Sequence, residues 1–121
     1  MIKRQKVYNK YNKHCAYCGK KIESMRDMQI DHIRPKREWV EALAEGENID
    51  DISNLNPACR RCNHYKRSLD IEGFREYIKT LHERIEKQYI NKVGLDYGII
   101  SVKPFDGEFY FEKMRRDKNG I

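Results

Sequence analysis

Four cysteines stand in two matched pairs, Cys15/Cys18 and Cys59/Cys62, each with two residues between the sulfurs. That gap lets both thiolates of a pair face one ion, and four thiolates are the usual shell of a structural zinc. Redox-active dithiols are the alternative, but two matched pairs favour the metal. Gly19 follows Cys18 directly and suits a knuckle in which backbone N–H groups approach the sulfur. Such a centre would tie distant segments together, so that metal affinity counts toward folding. Between the pairs stand Asp31-His32 and Asn54; just beyond the second pair come Asn63, His64 and Lys66. Taken singly these are bland: a surface histidine, a turn asparagine, a helix-start asparagine. Taken together they are the donor types that move protons and hold hard cations.

The elements that must position them are short. Met25 to Ile33 carries Met28 and Ile30 at alternating positions and predicts a strand ending at Asp31-His32-Ile33, stopped by Pro35. Asp31 and His32 point to opposite faces of an ideal strand, so a twist or bulge is expected there if both serve one site. Glu38 to Glu45 predicts a short helix with Trp39, Val40 and Leu43 on one side, ended by Gly46, as a lid-like insertion. Cys62 to Ser68 reads as helical. From Asp70, apolar residues at Ile71, Phe74, Ile78, Leu81, Ile85, Tyr89 and Val93 predict one amphipathic helix of about six turns. Its near-heptad spacing leaves a dimer seam open. Tyr97 to Lys103 and Glu108 to Lys113 read as strands of a hairpin turning at Asp106-Gly107, and Arg115 to Ile121 as a frayed end.

The chain has 121 residues, 39% hydrophobic and 36% charged, with eight tyrosines and a mean hydropathy of -0.95. That allows one modest core, which gains from a staple. We expect a single domain over 1–121, its core at about 13–70 and an extension at about 70–114. There is no apolar run of membrane-spanning length and no apolar stretch after Met1, so a cytoplasmic protein is expected. A reducing compartment also favours metal over disulfide. The net charge of +6 is unevenly spread. Lys3 to Lys21 holds seven bases and no acid, Arg60, Arg61, Lys66 and Arg67 form a second basic cluster, and Glu38 to Asp51 holds six acids and no base. A nucleic acid is the partner such basic faces suggest.

Written out, Cys-Ala-Tyr-Cys-Gly-Lys, then Ile-Asp-His-Ile-Arg-Pro-Lys, then Ile-Ser-Asn-Leu-Asn-Pro-Ala-Cys-Arg-Arg-Cys-Asn-His-Tyr-Lys closely resembles the HNH endonuclease family, in particular its small phage-type members. The resemblance runs from about Cys15 to Arg75. It implies an α+β protein with a zinc-braced ββα-metal (His-Me finger) core, here extended by the long helix and hairpin, that hydrolyses DNA with one catalytic metal in a bacterial or phage-infected cell. By position His32 would be the general base, since an imidazole ordinarily titrates near pH 6.5 and so suits neutral conditions. Asp31 would ligate Mg²⁺ or Mn²⁺, and Asn54 would fix the loop that orients the base. Asn63 takes the third motif position, an asparagine variant of the usual histidine, with His64 held in reserve because adjacent helical residues point about 100° apart. Arg34, Lys36, Arg37, Arg60, Arg61, Lys66 and Arg67 are the expected phosphate contacts. The rival reading is a non-catalytic zinc module that binds nucleic acid through the same basic faces.

Overall fold

The computed structural model describes residues 3–119, which divide into two compact units. Among the described residues the first comprises 3–71 with 109–119, the second Glu72–Glu108.

In the first unit, helix α1 (Arg4–Asn9) is anchored from its own side chains. Tyr8 Oη donates to Ile22 O at 2.6 Å, and Arg4 Nη2 donates to Met25 O and Met28 O at 3.0 and 2.8 Å. The chain then turns through Asn12 and Lys13, both at positive φ, into the first cysteine loop, closed by an isolated bridge between His14 and Lys21. Strand β1 (Gln29–His32) pairs antiparallel with β2 (Leu55–Ala58), placing Asp31 opposite Asn56 and His32 opposite Leu55. β2 leads directly into α3 (Arg60–Lys66), with Cys59 as its N-cap. The insertion between the strands contains α2 (Trp39–Ala44). Its expected apolar side is not the buried one: Trp39, Val40 and Leu43 are exposed and Ala42 is buried, because only one small residue of this two-turn helix meets the unit.

Helix α7 (Tyr110–Asn119) closes the first unit where a strand and a frayed end were expected. Residues 120 and 121 of that end lie outside the described residues. The alternation of Phe109 and Phe111 resembled a strand, but a capping arrangement wins: Glu112 Oε1 accepts the Phe109 N–H at 2.9 Å, drawing the chain into a helix. The backbone is also tied to the cysteine loop, with Phe111 N donating to Ala16 O at 2.7 Å and Tyr110 N to Tyr17 O at 3.2 Å. Both phenylalanine rings meet Tyr17 edge-on at 5.4 and 5.9 Å between centroids.

In the second unit the predicted continuous helix is three: α4 (Ile71–Lys79), α5 (Leu81–Lys87) and α6 (Tyr89–Asp96). Thr80 turns its hydroxyl back onto the carbonyls of Glu76 and Tyr77, competing with the helix ladder. Gln88 is extended at φ −69°, ψ 131°, which breaks it outright. The uninterrupted seam that made a helix-mediated dimer conceivable is therefore absent. Past α6 no strand forms among the described residues. Gly98 at φ +71° reverses the chain, and the Ile99 and Ile100 N–H groups cap the Gly94 carbonyl at 2.9 and 3.4 Å. The fold is thus α+β, with one two-stranded antiparallel sheet and the isolated bridge as its β content among the described residues.

Candidate metal centre and active-site cleft

The four cysteine sulfurs converge, all lying within 4.8 Å of one another. A tetrahedral zinc with Zn–S near 2.3 Å needs sulfurs about 3.8 Å apart, so the cluster fits the ion with small adjustments. Cys15 and Cys59 are buried, Cys62 half-buried and Cys18 exposed. Backbone ties hold the loop: Gly19 N donates to Cys15 O at 3.0 Å, and Ala16 N to Pro57 O on β2 at 2.8 Å. Gly19 sits at φ +79° against the Tyr110 ring, where a Cβ would come within 2.7 Å of ring carbon, so glycine is required twice over. Hydrogen bonds from Cys15 and Cys62 lower the Cys18 thiol to about 3, and contacts with Cys15 and Cys18 push Cys62 up. Cys18 thus readily yields a thiolate to a cation.

Asp31, His32 and Asn63 line one separate cleft of about 260 Å³, together with Lys36, Lys66 and Arg67. The strand register runs through Asp31 and His32 without a bulge, contrary to the expected backbone distortion. His32 is instead the last strand residue, and the chain turns immediately beyond it. His64 lies elsewhere, in a groove beside the cysteines, so the amide and not the imidazole faces the cleft.

Asp31 is buried at 6% exposure and held from two sides. Tyr17 Oη donates to its Oδ2, and the Lys66 ammonium lies 3.1 and 3.2 Å from Oδ2 and Oδ1. Burial raises the Asp31 pKa, opposed mainly by the Lys66 charge. Burial and the adjoining Asp31 push the Tyr17 hydroxyl far up, which keeps it a donor. Asn56, on β2 opposite Asp31, donates to Tyr17 Oη at 3.4 Å, while its buried Oδ1 has no partner among the described residues. The partners of His32 and Asn54 are equally specific. His32 Nε2 lies 2.7 Å from Asp50 Oδ1. Asn54 staples the loop after the histidine: its Oδ1 accepts Arg34 N at 2.7 Å, and its Nδ2 donates to Arg34 O at 3.2 Å and Ile49 O at 2.8 Å.

The expected phosphate contacts separate into two groups. Lys66 is 1% exposed and also reaches Leu69 O at 2.7 Å, which makes it an internal strut and withdraws it from any phosphate. Arg34 is taken up by Glu38, Glu45 and Glu47 at 3.1, 2.7 and 3.2 Å, since the acidic insertion folds over it. Arg37 donates to Ser68 O. Lys36, Arg60, Arg61 and Arg67 are exposed. Tyr17, Asp50 and Asn56 were not singled out as site residues. Tyr17 offered one clue, its place inside the first Cys-x-x-Cys; Asp50 had only its membership of the acidic run.

A scan against family models matches residues 15–68 to HNH endonuclease. A curated relative, the SPbeta prophage-derived protein YoqL of Bacillus subtilis (strain 168), named as a candidate HNH endonuclease, is 30% identical over 95 residues. That match covers 74% of this chain and 37% of the relative, so the chain spans little more than a third of that protein's length. No solved structure matches the chain.

Proposed function

Since residues 15–68 carry an HNH endonuclease domain, we propose that this protein hydrolyses phosphodiester bonds in DNA, with the chemistry in the cleft of Asp31, His32 and Asn63 and the four cysteines as a structural zinc centre. The observation that carries the reading is that these three side chains line one cleft while the four sulfurs gather in a separate place.

His32 is the general base. The Asp50 carboxylate can only accept, so Nε2 carries the proton and Nδ1 is left to take one from water. Asp50 thereby orients the ring and stabilises the imidazolium formed during attack. Asn54 holds both Arg34, two residues past His32, and Ile49, the neighbour of Asp50, fixing the two ends of that pair. Asp31 and the Asn63 amide oxygen offer hard donors of the kind Mg²⁺ or Mn²⁺ takes. A carboxylate has about four lone-pair sites, so Tyr17 and Lys66 leave room for a further partner on Asp31. When bound there, a divalent ion would supply neutralisation of charge at the phosphate and the departing oxygen. Lys36 and Arg67, exposed at the cleft, would hold the adjoining phosphates.

Supercoiled plasmid with Mg²⁺ or Mn²⁺ tests this. Nicked or linear product is expected from the native chain, with loss of roughly 10²-fold or more for His32→Ala. No cleavage by the native chain, or equal cleavage by His32→Ala, would leave only the non-catalytic binding module.

A further inference from the structure

Helix α3 presents two faces. At 100° per residue, Arg60, Arg61 and His64 fall within an arc of about 100°, with Asn63 and Lys66 on the other side. The second face borders the catalytic cleft. The first borders a groove of about 540 Å³ whose other wall is Lys20 and Lys21, from the cysteine loop. Its acids are Glu23 and Asp27, two against four fixed cations, and the nearest ion pair, Arg60 to Asp27, is loose at 3.8 Å. Among the described residues Lys20, Lys21 and Arg61 make no ion pair or side-chain hydrogen bond, and all are exposed. Arg34, Lys66 and Arg37, by contrast, are each held by acceptors within the chain. Cations kept without partners in a channel of this size attract a polyanion and gain by neutralising it.

We infer that this groove is a second DNA contact, a track for the sugar–phosphate backbone of duplex flanking the scissile bond. For its partner the inference rests on the nuclease reading above. The helix between the two faces is about 10 Å across, close to three base-pair rises of about 3.4 Å, so one duplex can lie over the groove and present a nearby phosphate to the cleft. The zinc centre, which has Cys59 on the groove wall and joins α3 to the loop that carries Lys20 and Lys21, would then set the spacing of the track as well as the fold. The groove contacts only backbone, so it adds affinity and register without base preference.

The test measures binding of a labelled duplex by fluorescence anisotropy, with no added divalent ion, in a His32→Ala background so that no strand is cut. Each phosphate contact contributes about 0.9 to the slope of log affinity against log salt. Lys20→Gln/Lys21→Gln should therefore flatten that slope by about 1.8, so that raising salt from about 50 to about 200 mM costs the variant about 12-fold less affinity than its parent. Lys3→Gln/Lys6→Gln removes the same charge from α1 and its N-cap and should change the slope far less. Zinc content is measured on every variant; if the lysine pair loses metal, Arg60→Gln/Arg61→Gln carries the same expectation. Equal slopes for groove and α1 variants overturn the proposal, as does an effect confined to an RNA helix and absent with DNA. Neither readout needs cleavage: a native chain that binds in this way yet cuts nothing sinks the hydrolytic reading and leaves the groove standing.

Discussion

Replacing Lys66 by methionine removes the one full charge opposite Asp31 and keeps most of the side-chain volume. The pair is buried on both sides, at 1% and 6% exposure, with contacts of 3.1 and 3.2 Å. Breaking such a pair by removing one partner costs about 3 to 5 kcal/mol, because the remaining charge stays buried without its partner. A domain stable by about 5 to 15 kcal/mol would be left marginal. The loss should depend on pH. Lys66 is the main influence lowering the Asp31 pKa, so its removal leaves burial to raise that pKa further above the unfolded value of about 3.9. A carboxyl whose folded pKa is the higher one favours folding below it, and that contribution is lost as pH rises through the folded value. Lys66→Met should therefore recover stability on acidification from about pH 7 to about pH 5. Urea unfolding of zinc-loaded protein at both pH values measures this, alongside Asp31→Asn and the double variant. The double should lose at least about 2 kcal/mol less than the sum of the singles. A single-variant loss under about 1 kcal/mol, with no pH dependence and additive effects, would show that Lys66 is not the buried counter-charge of Asp31.

Four further outcomes follow from the same geometry. One zinc per chain should be released on chelation or on treatment with a thiol reagent, and the helical circular dichroism should fall with it, since structural zinc contributes on the order of 10 kcal/mol to folding. Cys15→Ser should abolish zinc retention. Asn54→Ala removes three hydrogen bonds of 2.7 to 3.2 Å around the histidine loop; cleavage should fall by about 10- to 100-fold in kcat with DNA affinity within about twofold. Asp50→Asn should lower kcat with KM unchanged, and a KM effect alone would remove its role in orienting His32.

Legibility along the chain followed how local each signal is. The cysteine pairs, the end of the strand at Asp31-His32 and a helix around Cys62 are written in short spacing and stand in the structure. Met25–Asp27, however, is a 3-10 turn that shortens the expected strand to Gln29–His32, and the helix runs Arg60–Lys66, two residues ahead of its expected span. Asn54 in its stapling position also follows from the motif order. Partners supplied from a distance were not legible. Lys66 sits in a basic run and resembles a surface residue; only the approach of β1 to α3 shows it to be buried. Asp50 looked like one of six interchangeable acids until the insertion folded back on His32, and the same folding consumed Arg34. The C-terminal half failed for a different reason. Apolar period alone cannot register Gln88 in an extended conformation, nor the Glu112 cap that turns an apparent strand into α7. Both are decided by single polar residues against a correct hydrophobic pattern.

The proposed hydrolysis requires two cation sites of different chemistry, one of sulfur and one of oxygen. Crystals of zinc-loaded protein soaked in Mn²⁺, with anomalous data collected at the zinc and manganese absorption edges, locate both ions independently. Zinc is expected among Cys15, Cys18, Cys59 and Cys62, and manganese in the cleft against Asp31 and Asn63, near His32. Manganese found only at the cysteines or at surface acids, with none beside Asp31, would contradict the hydrolytic mechanism.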